Sequence, residues 1–250
     1  TIERCYSKPR GYAGDYLTIE KIYNNHPEGA GRIGAVVDRL FLEMPAAVAV
    51  RNRRGLVAEE IRRTVDEHAA VNRPARVLSL ACGPAREIAD VFASLGDRNR
   101  LVATCLDIDL QALAFVADWR DKAALKSRIQ LLNQNLISLA LGRATLQVAP
   151  QDLVYSIGLI DYFDDRMVVK MLDFIFGILA PGGRVILGNF HPRNQTRALM
   201  DYLLEWRLIH RTEDDMDRLF TASKFKSAAT STRVDATGVN LFAECIKAAA

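Results

Sequence analysis

From about Arg76 onward the chain alternates short apolar runs with segments of helical spacing. The apolar runs span residues 76–81, 101–107, 129–132, 152–157 and 184–189. The segments at 87–95, 110–125 and 166–179 carry apolar residues every three to four positions. Strands buried on both faces have continuous apolar sequences, and strands that alternate with helices form right-handed βαβ units. The alternation therefore predicts an α/β fold with a doubly wound, mostly parallel sheet.

The two ends of the chain differ from this alternation. Residues 227–234 and 239–246 flank 235–238 as the strands of a hairpin would, which predicts an antiparallel C-terminal hairpin at one edge of the sheet. A further helix is predicted near 195–205. The first 75 residues carry four of the seven tyrosines and a helical stretch over 33–70. We therefore predict an N-terminal helical lid over residues 1–75 and an α/β domain over residues 76–250.

Composition and charge narrow the classes of function. The 250 residues are 50% apolar and 25% charged, enough for one full core, and their net charge of +3 is spread over the chain. The basic groups at 51–54 and 62–63 alternate with acidic residues, which predicts a solvated helix face rather than a nucleic-acid footprint. The longest apolar stretches are far shorter than the roughly 18 residues of a membrane span. A soluble protein that does not bind nucleic acid is expected.

The cysteines indicate the compartment. All four lie far apart in the sequence, without a CxxC pair, so neither a metal site nor a disulfide framework is predicted. A reducing cytoplasm is the expected location. The sequence leaves the oligomeric state open, a homodimer being one option.

The segment at 77–87 is a strand that enters a turn of small residues and then a helix. Small residues let the backbone approach a ligand, and the helix N-terminus offers free N–H groups. Asp107, 24 residues after Gly83, ends the next strand, where a carboxylate can accept hydrogen bonds from two ribose hydroxyls. A dinucleotide needs three glycines in this turn and the chain supplies only Gly83. The motif therefore favours S-adenosylmethionine, which has no phosphate, over a nicotinamide cofactor.

Residues 76–189 resemble a class I S-adenosylmethionine-dependent methyltransferase, a family with a Rossmann-like fold. The family's first motif has an acidic residue followed by three glycines at alternate positions, and on it fall Ser79, Ala81, Gly83 and Ala85. Asp107 falls on the ribose-binding acid, 133–136 on the adenine segment, 152–162 on the fourth-strand motif and 179–185 on the turn before the fifth strand. These five matches come in the family's order and at its spacing.

The resemblance implies contacts to S-adenosylmethionine. Ser79 replaces the usual acid, and Glu87, two helical turns further along, is the candidate partner of the methionine ammonium. Tyr16 of the lid would face the cationic sulfonium with its ring. The other candidate cofactor-binding residues are Ala81, Gly83, Asp107, Ile108, Asn135, Leu136, Ser156 and Ile157.

Three residues beyond the carboxyl ends of the predicted strands are candidates for catalysis. His191 follows the fifth strand and would act as a general base or hydrogen-bond the acceptor, with a cap on the turn before Pro192 as the alternative. Asp161 and Tyr162 follow the fourth strand and would contact acceptor or cofactor. An N-cap and a packing aromatic are the alternatives for these two.

Four more residues are candidates for binding the acceptor. Tyr12 would close over the site with the lid, and Asn189 would hydrogen-bond a substrate carbonyl. Trp206 and Arg211 would line the acceptor pocket, where Arg211 would hold a carboxylate with two hydrogen bonds. The alternatives are lid packing, a turn, a packing indole and a solvated guanidinium, respectively.

The sequence thus predicts a methyltransferase that acts on an oxygen, carboxylate or hydroxyl, of a small organic acceptor. Residues 10–17 and 206–212 resemble a bacterial subgroup that makes methyl esters of 3-hydroxy fatty acids, so a fatty or hydroxy acid is the first candidate. The alternatives are a small-molecule N-methyltransferase, a non-catalytic binder of the cofactor or its product, and a nicotinamide-dependent oxidoreductase. The Pro-Pro-aromatic signature of nucleic-acid amino methylation is missing after the fourth strand.

Overall fold

The computed structural model describes residues 1–70 and 73–248, with a seven-stranded sheet in the order β3-β2-β1-β4-β5-β7-β6. The strands are β1 (Ala75–Leu80), β2 (Leu101–Asp107), β3 (Ile129–Asn133), β4 (Gln151–Ile157), β5 (Leu179–Phe190), β6 (Ser231–Val234) and β7 (Asn240–Ile246). The helices are α1 (Ile2–Ser7), α2 (Tyr16–Asn24), α3 (Gly31–Glu43), α4 (Pro45–Glu67), α5 (Arg86–Ser94), α6 (Leu110–Lys122), α7 (Leu136–Ala140), α8 (Asp165–Ile178) and α9 (Glu213–Ala222).

Strands β1 to β5 are parallel, and the strand order reverses at β1. Ser79 of β1 lies opposite Cys105 of β2 on one side and Tyr155 of β4 on the other. Chain connections therefore leave β1 and β4 toward opposite sides, which opens a crevice at their carboxyl ends. The residues that follow β1, β2 and β4 meet at this crevice.

Successive side chains of the central strands enter two cores on opposite faces of the sheet. Val77 packs with α4, α5 and α6, whereas Leu78 packs with α7, α8 and α9. Because these strands are buried on both faces, their sequences are apolar throughout. The predicted Rossmann-like, doubly wound, mostly parallel fold is confirmed.

The C-terminal strands form the predicted hairpin. β7 pairs antiparallel with β5 and β6 pairs antiparallel with β7. The Asp235 carboxylate holds the turn between them by accepting hydrogen bonds from the backbone N–H groups of Thr237, Val239 and Asn240. The hairpin therefore has a local sequence cause, since Asp is well suited to such turns.

The N-terminal segment contributes to the sheet layers as well as to a cover over the crevice. The predicted helix at 33–70 is two helices, because Met44 is extended before Pro45, as residues that precede proline prefer. Val57 and Ile61 of α4 share the core of Val77, so α4 covers the sheet. Helices α1 to α3 pack in a third core with Phe190 and Trp206. Residues 71–72 of the predicted lid and 249–250 of the predicted domain lie outside the described residues.

The segment after β5 differs from its prediction. The helix expected over 195–205 is shorter, covering 197–203, and its last five residues, Leu199–Leu203, are π-helical. The Thr196 hydroxyl accepts a hydrogen bond from the Ala46 N–H before this helix, and the Trp206 N–H donates to the Met200 carbonyl in the tight turn that ends it. Residues 180–183, expected as a turn that ends α8, are the irregular start of β5.

Candidate active site

A cavity of about 320 Å³ lies at the carboxyl ends of β1, β2 and β4, beneath α2. Cavities of this size hold small molecules. Eleven of the residues predicted to form the site line this cavity: Tyr12, Tyr16, Ala81, Gly83, Glu87, Asp107, Ile108, Ile157, Asp161, Tyr162 and Trp206. The fold thus brings together segments that are more than 190 residues apart in the chain.

The loop between β1 and α5 has three residues in the left-handed backbone conformation. Their φ angles are +54° at Ala81, +53° at Gly83 and +48° at Ala85, the positions that correspond to the three family glycines. A side chain costs about 1–2 kcal/mol in this conformation, so the two alanines are strained. A Cβ at Gly83 would meet no protein atom closer than 4.0 Å, and the backbone there faces the open cavity.

The Asp107 carboxylate is held in place by two backbone donors. Its Oδ2 accepts a hydrogen bond from the Gly83 N–H and its Oδ1 accepts one from the Asp109 N–H, both at 2.9 Å. Burial raises the pKa of Asp107, and the two N–H groups oppose that rise. Each oxygen has acceptor capacity beyond these bonds, so the carboxylate can receive a pair of ribose hydroxyls.

Glu87 occupies the floor of the cavity beside β4. Its Oε1 accepts a 2.7 Å hydrogen bond from the Tyr155 hydroxyl, and Tyr155 lies opposite Ser79 in the sheet. Burial raises the pKa of Glu87. A bound ammonium beside this carboxylate would lower that pKa again, because an opposite charge favours the ionised form.

Asp161 has one carboxylate oxygen without a partner. Its Oδ1 accepts a 2.6 Å hydrogen bond from the Phe190 N–H, which fixes the carboxylate between the ends of β4 and β5. Its Oδ2 is buried and has no hydrogen-bond partner within the described residues. Burial raises the pKa of Asp161 to about 6. This carboxylate can therefore accept a proton or a hydrogen bond from a ligand near neutral pH.

Tyr162 and Trp206 form a joint polar and aromatic wall. The Trp206 Nε1–H donates to the Tyr162 hydroxyl at 2.8 Å, and a Cβ at Gly14 would lie 2.9 Å from that hydroxyl. Gly14 is therefore required for close packing of the lid on this pair. Burial raises the pKa of Tyr162, which stays protonated as a hydrogen-bond donor.

Two arginine–carboxylate pairs fasten the lid to the rest of the site. Arg10 binds Asp109 through Nε at 3.0 Å and Nη2 at 2.6 Å. Arg86, at the start of α5, binds Glu20 of α2 through Nε at 2.8 Å and Nη2 at 2.5 Å. Both pairs are forked, the geometry that fixes orientation best. Tyr12 and Tyr16 are held over the cavity between them.

His191 does not reach the cavity, contrary to the catalytic role expected for it. It is 3% exposed, its Nδ1 accepts a hydrogen bond from the Arg193 N–H, and its Nε2 lies 3.1 Å from a Glu213 carboxylate oxygen. Both ring nitrogens are engaged in structural contacts. His191 therefore stabilises the turn around Pro192 and its contact with the start of α9.

Asn189 and Arg211 likewise serve the structure rather than the cavity wall. Arg211 is 2% exposed, pairs with Asp165 and donates to the Asn189 Oδ1 at 2.9 Å. The Asn189 amide donates to the Phe190 and Ile209 carbonyls. The guanidinium expected to clamp a substrate carboxylate is thus saturated by protein acceptors, because the chain folds back on itself after β5.

Three of the predicted cofactor contacts also lie outside the cavity lining. Asn135 caps α7, its Oδ1 accepting from the N–H groups of Ile137 and Ser138. Leu136 is 8% exposed and belongs to the core below the sheet. The Ser156 hydroxyl donates to the Leu80 carbonyl between strands.

Arg53 lines the cavity although its segment is predicted to be a solvated face. It is 7% exposed and lies on the buried side of α4, one turn from Val50 and one turn from Val57. This spacing of three and four residues between apolar positions is the sequence signal that distinguishes it from its neighbours. The other lining residues that were not predicted as site residues are Gly14, Ile19, Tyr23, Val50, Cys82, Pro84, Tyr155, Gly158, Leu159, Phe163, Phe190 and Leu208.

The described residues lack two kinds of feature, a metal-binding cluster and a membrane-spanning helix. Over residues 1–70 and 73–248, no three His, Cys, Asp or Glu side chains are grouped so that they could hold a metal ion. Over the same ranges, no helix combines the length and the apolar character needed to cross a membrane.

Solved structures share the fold of three quarters or more of the chain at low identity. A possible exported protein from Bordetella parapertussis is similar at 21% identity and a TM-score of 0.75, over 94% of this chain and 80% of that one. Magnesium protoporphyrin IX methyltransferase from Synechocystis PCC 6803, with bound SAH, is similar at 12% identity and a TM-score of 0.62, over 99% and 98%. A Burkholderia thailandensis 1,6-didemethyltoxoflavin-N1-methyltransferase is similar at 17% and 0.53, over 75% and 78%.

Sequence comparison places the chain in a family. No match was found among curated proteins. A family model with the description "Putative methyltransferase" matches residues 11–245, which include most of the lid, every residue lining the cavity and nearly all of the C-terminal hairpin. The chain therefore belongs to this methyltransferase family.

Proposed function

We propose that this protein transfers the methyl group of S-adenosylmethionine to an oxygen of a small organic acceptor, with a fatty or hydroxy acid as the first candidate. The observation that carries the proposal is the shared cavity. It joins the residues suited to the cofactor with an apolar wall that includes Val50, Phe190 and Leu208. A cavity of about 320 Å³ under a lid suits a small acceptor rather than a macromolecule.

The residues present fit S-adenosylmethionine. The Asp107 carboxylate has acceptor capacity for two ribose hydroxyls, and Gly83 leaves room for the ligand. Glu87 offers a buried carboxylate for the methionine ammonium in place of the acid that Ser79 replaces. The Synechocystis neighbour, which binds SAH, supports this assignment through its shared fold.

The reaction makes modest demands on the protein. S-adenosylmethionine supplies an electrophilic methyl group on a sulfonium, which an acceptor oxygen attacks in line. The lid excludes water, and the aromatic wall of Tyr162 and Trp206 positions the acceptor. A carboxylate acceptor is already ionised and needs no base. This agrees with a cavity lining that contains no histidine among the described residues.

One observation favours a second acceptor class. The unpartnered Oδ2 of Asp161, with a pKa of about 6, can accept the proton of an acceptor hydroxyl or amine. A hydroxyl acceptor, or an amine acceptor as in a small-molecule N-methyltransferase, is therefore the alternative. A cytoplasmic location and a homodimer stay predictions.

Binding calorimetry tests the cofactor first. We expect S-adenosylhomocysteine (SAH), but not NADH, to bind in the micromolar range, and Asp107→Ala to lose at least about tenfold because the ribose loses its acceptor. At about a hundredfold excess over Kd, SAH adds about 2.7 kcal/mol of stability, or roughly 5–11 °C in Tm. Asp118→Ala, an exposed residue on α6, is the matched control.

Methyl transfer is then measured with carboxylic acids, alcohols and amines of the same chain length. Turnover of acids or alcohols supports the proposal. Turnover of amines alone would contradict the oxygen acceptor, and tight SAH binding without turnover of any class would indicate a non-catalytic binder.

A further inference from the structure

Arg53 is a buried cation that forms no salt bridge within the described residues; its hydrogen-bonding neighbour is the neutral Tyr23 hydroxyl. Its side chain lines the cavity at 7% exposure, and its Nε is buried without a hydrogen-bond partner among the described residues. A buried guanidinium is normally paired, because removing an isolated charge from water is costly. The site is therefore electrostatically incomplete as the protein alone presents it.

The neighbouring arginines of α4 are satisfied by the protein. Arg54 forms a forked pair with Asp90, Arg51 donates to the Leu42 carbonyl, and Arg62 donates to the Ser94 hydroxyl. Among these arginines, a buried donor without an acceptor, the Nε of Arg53, is thus found only on the side chain that faces the cavity.

The groups around Arg53 hold it in place without neutralising it. Burial raises the pKa values of Tyr23, Glu87, Asp161 and Tyr162, and the Arg53 charge opposes that rise at each of them. No salt bridge joins Arg53 to either carboxylate in the described part of the chain, since Glu87 is bound by Tyr155 and Asp161 by the Phe190 N–H.

The backbone after β4 is shaped to admit the guanidinium. A Cβ at Gly158 would lie 2.6 Å from the Arg53 Nη1, and Gly158 has a φ of +75°. Glycine at this position therefore allows the charged group to reach the end of β4, where the cavity is lined by Ile157 and Asp161.

We propose that Arg53 binds a ligand carboxylate in this cavity. A planar guanidinium offers two parallel N–H donors that match a carboxylate, a fit that an ammonium lacks. The cavity has two sources of such a group, the methionine carboxylate of the cofactor and the carboxylate of an acid acceptor. The inference rests on the proposed function. The second source, the carboxylate of an acceptor, rests in particular on the proposal that the acceptor is an acid.

The experiment compares probes that differ in the carboxylate alone. Calorimetry measures SAH against its decarboxylated analogue, and octanoate against octanol in protein saturated with SAH. The variants are Arg53→Met and Arg53→Lys, with Arg62→Met as the control on the same helix. Circular dichroism and thermal unfolding establish that each variant is folded.

A cofactor role is supported if Arg53→Met weakens SAH by about tenfold or more and leaves the decarboxylated analogue unchanged. An acceptor role is supported if Arg53→Met weakens the binding of octanoate but leaves the binding of octanol and of SAH unchanged. Arg53→Lys keeps the charge but loses the fork, so a smaller loss of the same probe is expected. It serves as the test variant if Arg53→Met does not fold.

The inference is overturned if a folded Arg53 variant binds the carboxylate probes and the carboxylate-free probes with the same affinities as the wild-type protein does. An equal loss of both members of a probe pair, which would indicate packing alone, also overturns it. A wild-type protein that binds SAH through Arg53 but methylates only amines would contradict the proposed oxygen acceptor and leave this inference standing.

Discussion

Asp161 is buried and has one carboxylate oxygen without a partner among the described residues, so its ionisation opposes folding. Its pKa is raised from 3.8 to about 6 in the folded protein. Below pH 3.8 the carboxyl group is protonated in both the folded and the unfolded state, so it does not lower the free energy of unfolding. As the pH rises from 3.8 to about 6, the unfolded state ionises first and the stability of the folded state falls; above pH 6 the loss is complete.

Replacement of this carboxylate is therefore expected to stabilise the protein in a pH-dependent way. Asp161→Asn keeps an acceptor for the Phe190 N–H and removes the charge. We expect it to raise the free energy of unfolding by about 1–3 kcal/mol at pH 8, at about 1.4 kcal/mol per pKa unit, and by much less at pH 4. Urea unfolding at both pH values measures this, with Asp118→Asn as the exposed control. An equal gain at pH 4 and pH 8 would contradict the account.

Ala81 offers a second test at the scale of one residue. Its φ of +54° strains an alanine but not a glycine. Ala81→Gly is expected to raise the free energy of unfolding by about 0.5–1 kcal/mol, whereas Ala89→Gly, inside α5, should lower it by about as much. Thermal unfolding compares the two variants. If both destabilise, the loop is not strained as described.

At the scale of elements, the lid packs on the rest of the protein through a core that includes Phe190 and Trp206, and charged contacts orient it over the cavity. The forked pairs Arg10–Asp109 and Arg86–Glu20 hold it over the cavity. Opening must break both, and salt weakens exposed ion pairs.

A variant with Arg10→Gln and Glu20→Gln is expected to release SAH several-fold faster and to be cleaved more rapidly by protease within residues 8–15. Stopped-flow displacement and limited proteolysis measure the two effects. Lys122→Gln, which removes an exposed pair on α6, is the control. Unchanged release would mean that the lid does not limit exit of the ligand.

The elements that sequence predicts best here are those with a local cause. β2 begins and ends where its apolar run does, because burial on both faces requires that run. The helix expected at 195–205 forms only over 197–203, because Thr196 and Trp206 bond to distant or turn partners at its two ends. Helix α9 has a local signal, the Thr212–Asp215 capping box, which the apolar spacing did not show.

At the scale of the whole molecule, Arg184 joins the N-terminal segment to the far edge of the sheet. It is 4% exposed and donates to Glu60 and Thr64 of α4 and to Glu244 of β7. Burial would raise the pKa of Glu60, but Arg184 and Arg233 hold it below its usual range. This contribution to stability is present above pH 4.5 and is lost as the pH falls.

Arg184→Met is expected to cost about 3–5 kcal/mol at pH 7, because it leaves Glu244 and part of Glu60 as buried unpaired charges. The double variant with Glu244→Met should recover part of that loss, and the deficit should narrow at pH 3. Urea denaturation of both variants measures these differences. A loss below about 1 kcal/mol would show that the network does not hold α4 to the sheet.

The sequence by itself determined the sheet, its parallel core and antiparallel edge, and the loop and acid that line the cavity, because these follow from strand burial, turn chemistry and adjacent motif residues. Only the tertiary structure decided which charged side chains face the cavity. Arg211 and His191 are saturated by partners brought from elsewhere in the chain, while Arg53 has no salt bridge and an unpaired Nε among the residues that the structure describes. The partners of a polar side chain depend on distant segments, and spacing along one segment does not record them.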